Sequence, residues 1–505
     1  VGIVESSANT DMEYVQAYAR ILDERLGKAL AVFESNSGVP VLSGGESPVS
    51  TPAGIYTLRA TLLPFAGSVK FEIELVDGDS DRAIWASSYD ESDVSVFGVS
   101  STAVGDMADF LGEPLPEADL EALRFSLTDD VLAYDAYDLA MSEFTRFDRT
   151  FIQNAIVLYE KAIQRDPNFG LAHARLSNVL EVDASYFGGK RIADARTAAE
   201  NAMRLAPDRP EPHFAYGKVL EFEGDDDGAL GSYFRSLSVD PTHSHSQIAA
   251  ANIFFNNQQW ADAEALFVQG IENGSNLPKA MSQLAYIKLI KGETRLARRW
   301  SELVLRDVPL HIEATTVSAV LDLLDGERHE AKSRCQRLLA VFPDVYRCLQ
   351  VAAAASLITE DLDTAERCFQ GIAELRPDDD YAMLGLAQVL MARGQTDEAL
   401  VALQSLIDHA VERIDGGESH WMHRWIAAGA YAVSGDRSNA YRWLDEAAFA
   451  GRRNSLWDSV EPSFAALRDE PRFDRYLAAT LVKSHPFLDS PSIVSDDSPQ
   501  RVVLP

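Results

Sequence analysis

The stretch Glu211-PHFAYGKVLEFEGDDDGALGSYFRSLSVD-Pro241 decides the fold. Its apolar and small residues fall at helical spacing in two blocks, Phe214 to Phe222 and Ala229 to Ser236. Between the blocks stands Gly224, suited to a left-handed helix cap, and Asp240-Pro241 ends the second block. The stretch therefore predicts a helical hairpin.

The same grammar recurs at a fixed period. Alanine stands at Ala195, Ala229, Ala263, Ala297, Ala331, Ala365 and Ala399, always 34 residues apart. Pro207, Pro241, Ser275, Pro309, Pro343 and Pro377 keep the same step. So do Gly224, Gly292, Gly326 and Gly394, with Gln258 and Glu360 at the two remaining places. An alanine early in each second helix lets two helices approach closely, where a larger side chain would clash. The glycine ends the first helix and the proline ends the second. Two hairpins precede the strict array, at about residues 133–167 and 171–207, the second with an insertion near Asp183–Arg191. After Ala399 the phase jumps to Ala440 through an expected loop, Asp408–Ser419. Residues 131–453 thus read as an α-solenoid of about nine hairpins, and this pattern resembles the tetratricopeptide repeat family.

Residues 1–115 follow a different pattern, that of a small α/β domain. The spacing predicts a helix over Asp11–Phe33, a short strand at Val39–Ser43, and three antiparallel strands at Ile55–Leu63, Ser68–Val76 and Ala83–Ser88. Turns are expected at Pro64–Gly67 and Asp77–Ser80, and a helix at Ser95–Leu111. Residues 116–130 read as a linker, 454–485 as capping helices, and 486–505 as a flexible tail.

The opening Val1-Gly-Ile-Val4, the segments Tyr56–Ala60, Lys70–Asp77 and Arg82–Asp90, and the helix after them resemble the TolB amino-terminal-like domain of bacterial regulators. The runs Leu456–Phe464 and Leu467–Phe473 resemble the ending of the same proteins. Glu5-Ser6 departs from the usual Pro-Phe after the first strand. The resemblance implies the sensory or regulatory half of a protein whose output is a winged-helix domain or a nucleotide cyclase, often across one membrane span. The start at Val1, directly on a strand-like run, suggests that such a segment lies upstream. The resemblance also implies a periplasmic location, beyond a membrane span, with the cytoplasm as the alternative.

Composition narrows the function. The chain has 505 residues, 46% hydrophobic and 9% aromatic, and carries 45 basic against 78 acidic residues, a formal charge of −33. Such a surface repels phosphate backbones and argues against direct nucleic-acid binding. Cys335, Cys348 and Cys368 form no metal or redox motif and read as buried thiols.

Catalytic and metal motifs are absent or incomplete. Gly188-Gly189-Lys190 lacks the leading glycine of a phosphate loop, at Ala184, and the following Ser or Thr, at Arg191. Asp77, Asp79 and Asp81 lack the glycine and glutamate of a calcium loop. His420 and His423 share a helix face without an evident third ligand. The reading is a binding module rather than an enzyme, with no cofactor and no metal. Its partner is a protein, a peptide or a small ligand, and its oligomeric state stays open.

In tetratricopeptide arrays the first helix of each hairpin lines the concave groove. That rule points to Phe214, Lys218 and Phe222, then to Ile248, Asn252 and Phe255, then to Tyr286, Leu289, Val320, Leu384 and Gln388. The core set of expected contacts is Phe214, Lys218, Phe222, Asn252, Phe255, Tyr286 and Gln388. A free-standing assembly scaffold and an enzyme using the repeats as a substrate arm are the rival readings.

Overall fold

Alternating strand residues and 34-residue helical hairpins give an α/β domain followed by a helical array. The computed structural model of the chain describes residues 2–5, 12–37, 56–65, 68–77, 80, 82–90, 96–124, 127–146, 148–274, 278–417, 420–452 and 455–481. The expected strand at Val39–Ser43 and the expected tail 486–505 lie outside them. The chain divides into two compact units, Val1–Pro241 and Thr242–Pro505.

The first unit opens with β1 (Gly2–Glu5), α1 (Met12–Ser37), β2 (Tyr56–Phe65), β3 (Ser68–Asp77), β4 (Arg82–Asp90) and α2 (Val96–Leu111). The sheet order is β1-β2-β3-β4. β1 runs parallel to β2, and the other pairs are antiparallel. Every second residue of β2 and β3 (Leu58, Ala60, Leu62; Phe71, Ile73, Leu75) is buried in one core with Tyr18, Leu22 and Phe33 of α1 and Val104 and Met107 of α2. That alternation marks a sheet covered on one face. Pro64 and Phe65, expected in a turn, instead extend β2 and pair with Val69 and Ser68. The expected linker holds a helix, α3 (Glu117–Arg124), because Leu120 and Leu123 have an apolar core to pack against. The Leu123 carbonyl also accepts from the Arg25 guanidinium at 3.2 Å.

Three hairpins complete this unit: α4 (Val131–Phe144) with α5 (Arg149–Arg165), α6 (Gly170–Phe187) with α7 (Ile192–Leu205), and α8 (Pro210–Phe222) with α9 (Asp226–Val239). Much of the expected insertion is helix, since α6 runs on to Phe187. Gly188, at φ 74°, then caps α6 in the left-handed conformation. A Cβ on Gly189 would fall 2.0 Å from the Asp183 carboxylate, so the Gly-Gly pair serves a helix end, not a phosphate.

The second unit carries six hairpins among the described residues. They are α10 (Ser244–Asn256) with α11 (Trp260–Glu272), α12 (Pro278–Ile290) with α13 (Thr294–Asp307), and α14 (Ile312–Leu324) with α15 (Arg328–Leu339). They continue as α16 (Tyr346–Ile358) with α17 (Leu362–Leu375), α18 (Asp380–Ala392) with α19 (Thr396–Asp415), and α20 (Trp421–Ser434) with α21 (Arg437–Phe449). The short α22 (Ser455–Val460), a 3-10 turn (Pro462–Leu467) and α23 (Pro471–Thr480) follow. Most of the expected loop Asp408–Ser419 is the last part of α19. The phase jump of seven extra residues adds about two helical turns, so the next hairpin still meets the same face.

The periodic residues occupy equivalent places. Ala195, Ala229, Ala263, Ala297, Ala331, Ala365 and Ala399 are all 0% exposed. Gly224, Gly292, Gly326 and Gly394 have φ between 80° and 83°, and Gln258 and Glu360 take the same left-handed turn at 60° and 57°. Each such residue lets the next amide reach back to an earlier carbonyl, as Asp225 N does to Leu220 O at 2.9 Å. None of the described helices is long and apolar enough to cross a membrane.

Candidate functional site

Side chains on the first helices of the hairpins leave a hollow in the second unit. The cavity is about 940 Å3. It is lined from α10 by Phe255 and Asn256, from α12 by Ser282, Gln283, Tyr286 and Leu289, and from α14 by Glu313, Thr316, Val317 and Val320. Tyr346, Gln350 and Val351 of α16 continue the wall, as do Asp380 and Tyr381 of α18 and Trp421, His423 and Trp425 of α20. Arg452 and Trp457 close the remaining side. The floor residues Gln283, Val317, Gln350, Trp425 and Arg452 are buried, whereas Asn256, Gln258, Glu313, Arg347 and Asp378 are exposed at the rim.

The chain's own later segment forms part of this wall. α22 packs against α12 and α14, and the 3-10 turn against α16 and α20. Polar bonds fix it there. Trp425 Nε1 donates to Asp458 Oδ1 at 3.0 Å, and Tyr476 OH donates to Asp458 Oδ2 at 2.7 Å. The Arg452 guanidinium donates to the same carboxylate and lies over the Trp421 and Trp425 rings, 4.3 and 4.7 Å from their centroids. Tyr381 OH donates to Glu461 Oε2 at 3.1 Å, and Ser463 Oγ donates to Glu461 Oε1 at 2.9 Å. Burial pushes the Glu461 carboxyl and the Tyr381 hydroxyl above their ordinary ranges.

Aromatic rings form one corner of the chamber. Phe255 meets Trp260 at 5.4 Å and 80°, and meets Tyr286 at 5.8 Å and 63°. Trp260 and Tyr286 lie 6.2 Å apart at 63°. Such edge-to-face packing is the favourable arrangement of aromatic pairs. Beside Tyr286, Gln283 is 9% exposed and its buried Oε1 has no hydrogen-bond partner.

The expected groove residues take different places. Phe255 and Tyr286 line the chamber, with Leu289 and Val320. Asn252, one turn before Phe255, has a buried Oδ1 without a partner. Gln388 lies under the 3-10 turn rather than in an open groove, its Nε2 donating to Ser463 Oγ at 3.1 Å, and Leu384 is fully buried. In the first unit the Phe214 ring packs on Tyr233 with centroids 5.9 Å apart, and Phe222 is exposed. Lys218 is engaged internally: its ammonium donates to Glu221 Oε2 at 3.0 Å and lies 3.9 Å from Glu181. Burial opposes that charge, but the two carboxylates outweigh it and hold the ammonium's pKa up.

Sequence reasoning missed Gln283, Gln350, Trp421 and Arg452. The clustering of Trp421, Trp425 and Trp457 at the end of the array was the available signal. His420 Nδ1 accepts from Met422 N at 3.2 Å as a helix cap, and His423 Nδ1 lies 3.3 Å from Asp380. Among the described residues there is no group of three or more His, Cys, Asp or Glu able to hold a metal. Cys335, Cys348 and Cys368 are buried, unbridged thiols.

A tetratricopeptide repeat family model matches residues 356–415. The match lies among hairpins of the second unit, whose periodic alanines are fully buried like those of the first unit. Within each unit the hairpins have a tetratricopeptide-type α-solenoid fold. Among curated proteins, the putative adenylate cyclase 3 of Rhizobium meliloti (strain 1021) is 22% identical over 179 residues, or 34% of this chain and 30% of that protein. The chain thus spans under a third of that relative's length. Among solved structures, YrrB, a tetratricopeptide-repeat protein with an unusual peptide-binding site, is 16% identical over 37% of this chain and 96% of its own, with a TM-score of 0.32. PilF of Pseudomonas aeruginosa is 18% identical over 42% of this chain and 94% of its own, with a TM-score of 0.36.

Proposed function

We propose that this chain is a non-catalytic sensory or regulatory binding module of a bacterial signalling protein. The hollow of the second unit carries this reading: it is lined by aromatic and polar side chains, and no nucleophile and base are assembled there among the described residues. The local likeness to a putative adenylate cyclase supports a signalling context. In this reading the solenoid binds a protein, a peptide or a small ligand, and occupancy biases an output domain, a cyclase or a winged helix, carried elsewhere in the same protein. The TolB-like reading of the α/β domain, an anchoring membrane span and a periplasmic location belong to this proposal.

The test uses the native gene in its own host. Tyr286→Ala and Phe255→Ala are expected to change the signal-dependent output, read as cyclic nucleotide or as a transcriptional reporter, at unchanged protein level. A native gene encoding only a secretion signal and this chain would defeat the reading. One stoichiometric complex with no effect on either output would favour an assembly scaffold.

A further inference from the structure

A site for an extended peptide must offer polar groups to the peptide backbone. Here the first helices of the last two hairpins are already engaged: Trp425, Tyr381 and Gln388 bond to Asp458, Glu461 and Ser463. What remains is the hollow of about 940 Å3, within the roughly 300–1,000 Å3 range of pockets for compact organic ligands.

Much of the polar chemistry in its wall is closed on the protein itself. Tyr346 OH donates to Asp379 Oδ2 at 2.9 Å and accepts from Gln350 Nε2 at 3.1 Å. Ser282 Oγ donates to the Lys279 carbonyl and Thr316 Oγ1 to the Ile312 carbonyl, both at 2.8 Å. The Gln283 oxygen is unpartnered but sealed from solvent. A peptide backbone laid in the hollow would leave amides and carbonyls without partners, which is costly.

The charges are met in the same way. Four arginines and four carboxylates line the hollow, so its formal charge is zero with His423 neutral. Asp379 accepts from the amides of Tyr381 and Ala382, and Asp380 faces His409 at 3.2 Å and His423 at 3.3 Å. Glu313 lies 3.3 Å from His311 Nδ1, and Arg452 pairs with Asp458. The Arg376 guanidinium lies 4.3 Å over the Tyr346 ring, and Arg413 is engaged within the protein. At the exposed rim Arg347 and Asp378 contribute one charge of each sign. An ion entering the hollow would give up hydration for a wall whose charges already balance.

What the wall does offer is apolar: Phe255, Trp260, Tyr286, Val317, Val320 and Trp425. Burying apolar surface against such side chains is favourable without a directional bond. We infer that the hollow is a binding site for a compact, uncharged aromatic compound, held by apolar contact with the Trp260 and Tyr286 rings. The inference rests on the sensory reading for its purpose, and it commits the site to a neutral small ligand instead of a peptide or an ion.

The probe is N-phenyl-1-naphthylamine, which is uncharged and fluoresces in apolar surroundings. Its anionic counterpart is 1-anilinonaphthalene-8-sulfonate, the same skeleton with a sulfonate. Each is titrated into the full 505-residue chain. The neutral probe is expected to bind once per chain with Kd below about 100 μM, and the sulfonate at least about tenfold more weakly. Val320→Trp fills the hollow and Tyr286→Ala removes a half-buried ring, and each is expected to weaken the neutral probe at least about fivefold. Gln404→Leu, on the exposed face of α19, adds apolar surface elsewhere and is expected to leave binding unchanged. No saturable signal, equal or tighter binding of the sulfonate, or an unaffected Tyr286→Ala or Val320→Trp variant overturns the assignment. If any of these is found while Tyr286→Ala still alters the output in the native host, the ligand class fails and the sensory reading stands. If the probe binds as expected while Tyr286→Ala leaves that output unchanged, the site stands and the sensory reading fails.

Discussion

The Tyr381 hydroxyl donates to the Glu461 carboxylate at 3.1 Å, joining α18 to a segment 80 residues later. Both groups are buried, with Glu461 1% and Tyr381 4% exposed. Burial disfavours the ionised form and raises the Glu461 pKa, against lowering by Ser463 and Tyr381. A folded pKa above the unfolded one means that the folded chain holds this proton more tightly. The contribution of Glu461 is therefore fully present below the unfolded carboxylate range and is lost as pH rises through the folded value. Glu461→Gln, neutral at every pH, is expected to gain in melting temperature relative to the parent between pH 5 and 8. At pH 4 the two should converge. A constant offset across that range would refute the burial argument.

Gly385 is small because of a ring. A Cβ there would lie 2.1 Å from Cε1 of the buried Phe369. Gly385→Ala is expected to destabilise by about 1–3 kcal/mol, an overpacking cost larger than the helix propensity gained. Gly231, on α9, has nothing within 4 Å of its built Cβ. Gly231→Ala is expected to stabilise by up to about 1 kcal/mol. Urea unfolding of the two variants checks the opposite signs.

Glu360 sits where other repeats place glycine, at φ 57°. An L side chain in that region costs about 1–2 kcal/mol, part of which glycine returns as backbone entropy. Glu360→Gly is expected to raise stability by about 0.5–1 kcal/mol. A lower thermal midpoint in this variant would mean that the Glu360 side chain contributes more than its backbone costs.

Asp361, the next residue, caps α17: its Oδ1 accepts from Thr364 N at 3.3 Å, and its Oδ2 from Lys332. The Lys332 ammonium leads in holding this carboxyl down to about 2. A depressed pKa gives stability that is present above the unfolded carboxylate range and lost as pH falls through about 2. The side chain is 36% exposed, so solvent screens the ion pair and the cap carries most of the effect. Asp361→Ala is expected to cost about 1 kcal/mol at pH 7, and less at pH 3. Chemical unfolding at the two pH values measures the difference.

Local chemistry repeated at one period was readable along the chain. Ala263 must be small, Gly292 must turn left-handed and Pro309 must end a helix, and each requirement is met by neighbours within one or two hairpins. The strands Tyr56–Phe65 and Ser68–Asp77 were readable for the same reason, since alternation at period two is local. The α3 helix was not, because its apolar residues gain only from packing on α1 and α2. Neither was the extension of α19, since a polar helix end looks like a loop until a partner helix covers it.

The sequence alone determined the hairpins, their period and their order, because those follow from contacts between near neighbours. The tertiary structure alone decided the chamber. It arises where Asp458 and Glu461, which carry no repeat signature, bury their carboxylates against Trp425 and Tyr381 of earlier hairpins. It also turned Gln388 from an expected groove contact into an anchor for Ser463. Period reports what each hairpin needs from the next. It carries no information about a distant segment that folds back, and the burial of that segment's polar groups is what shapes the site.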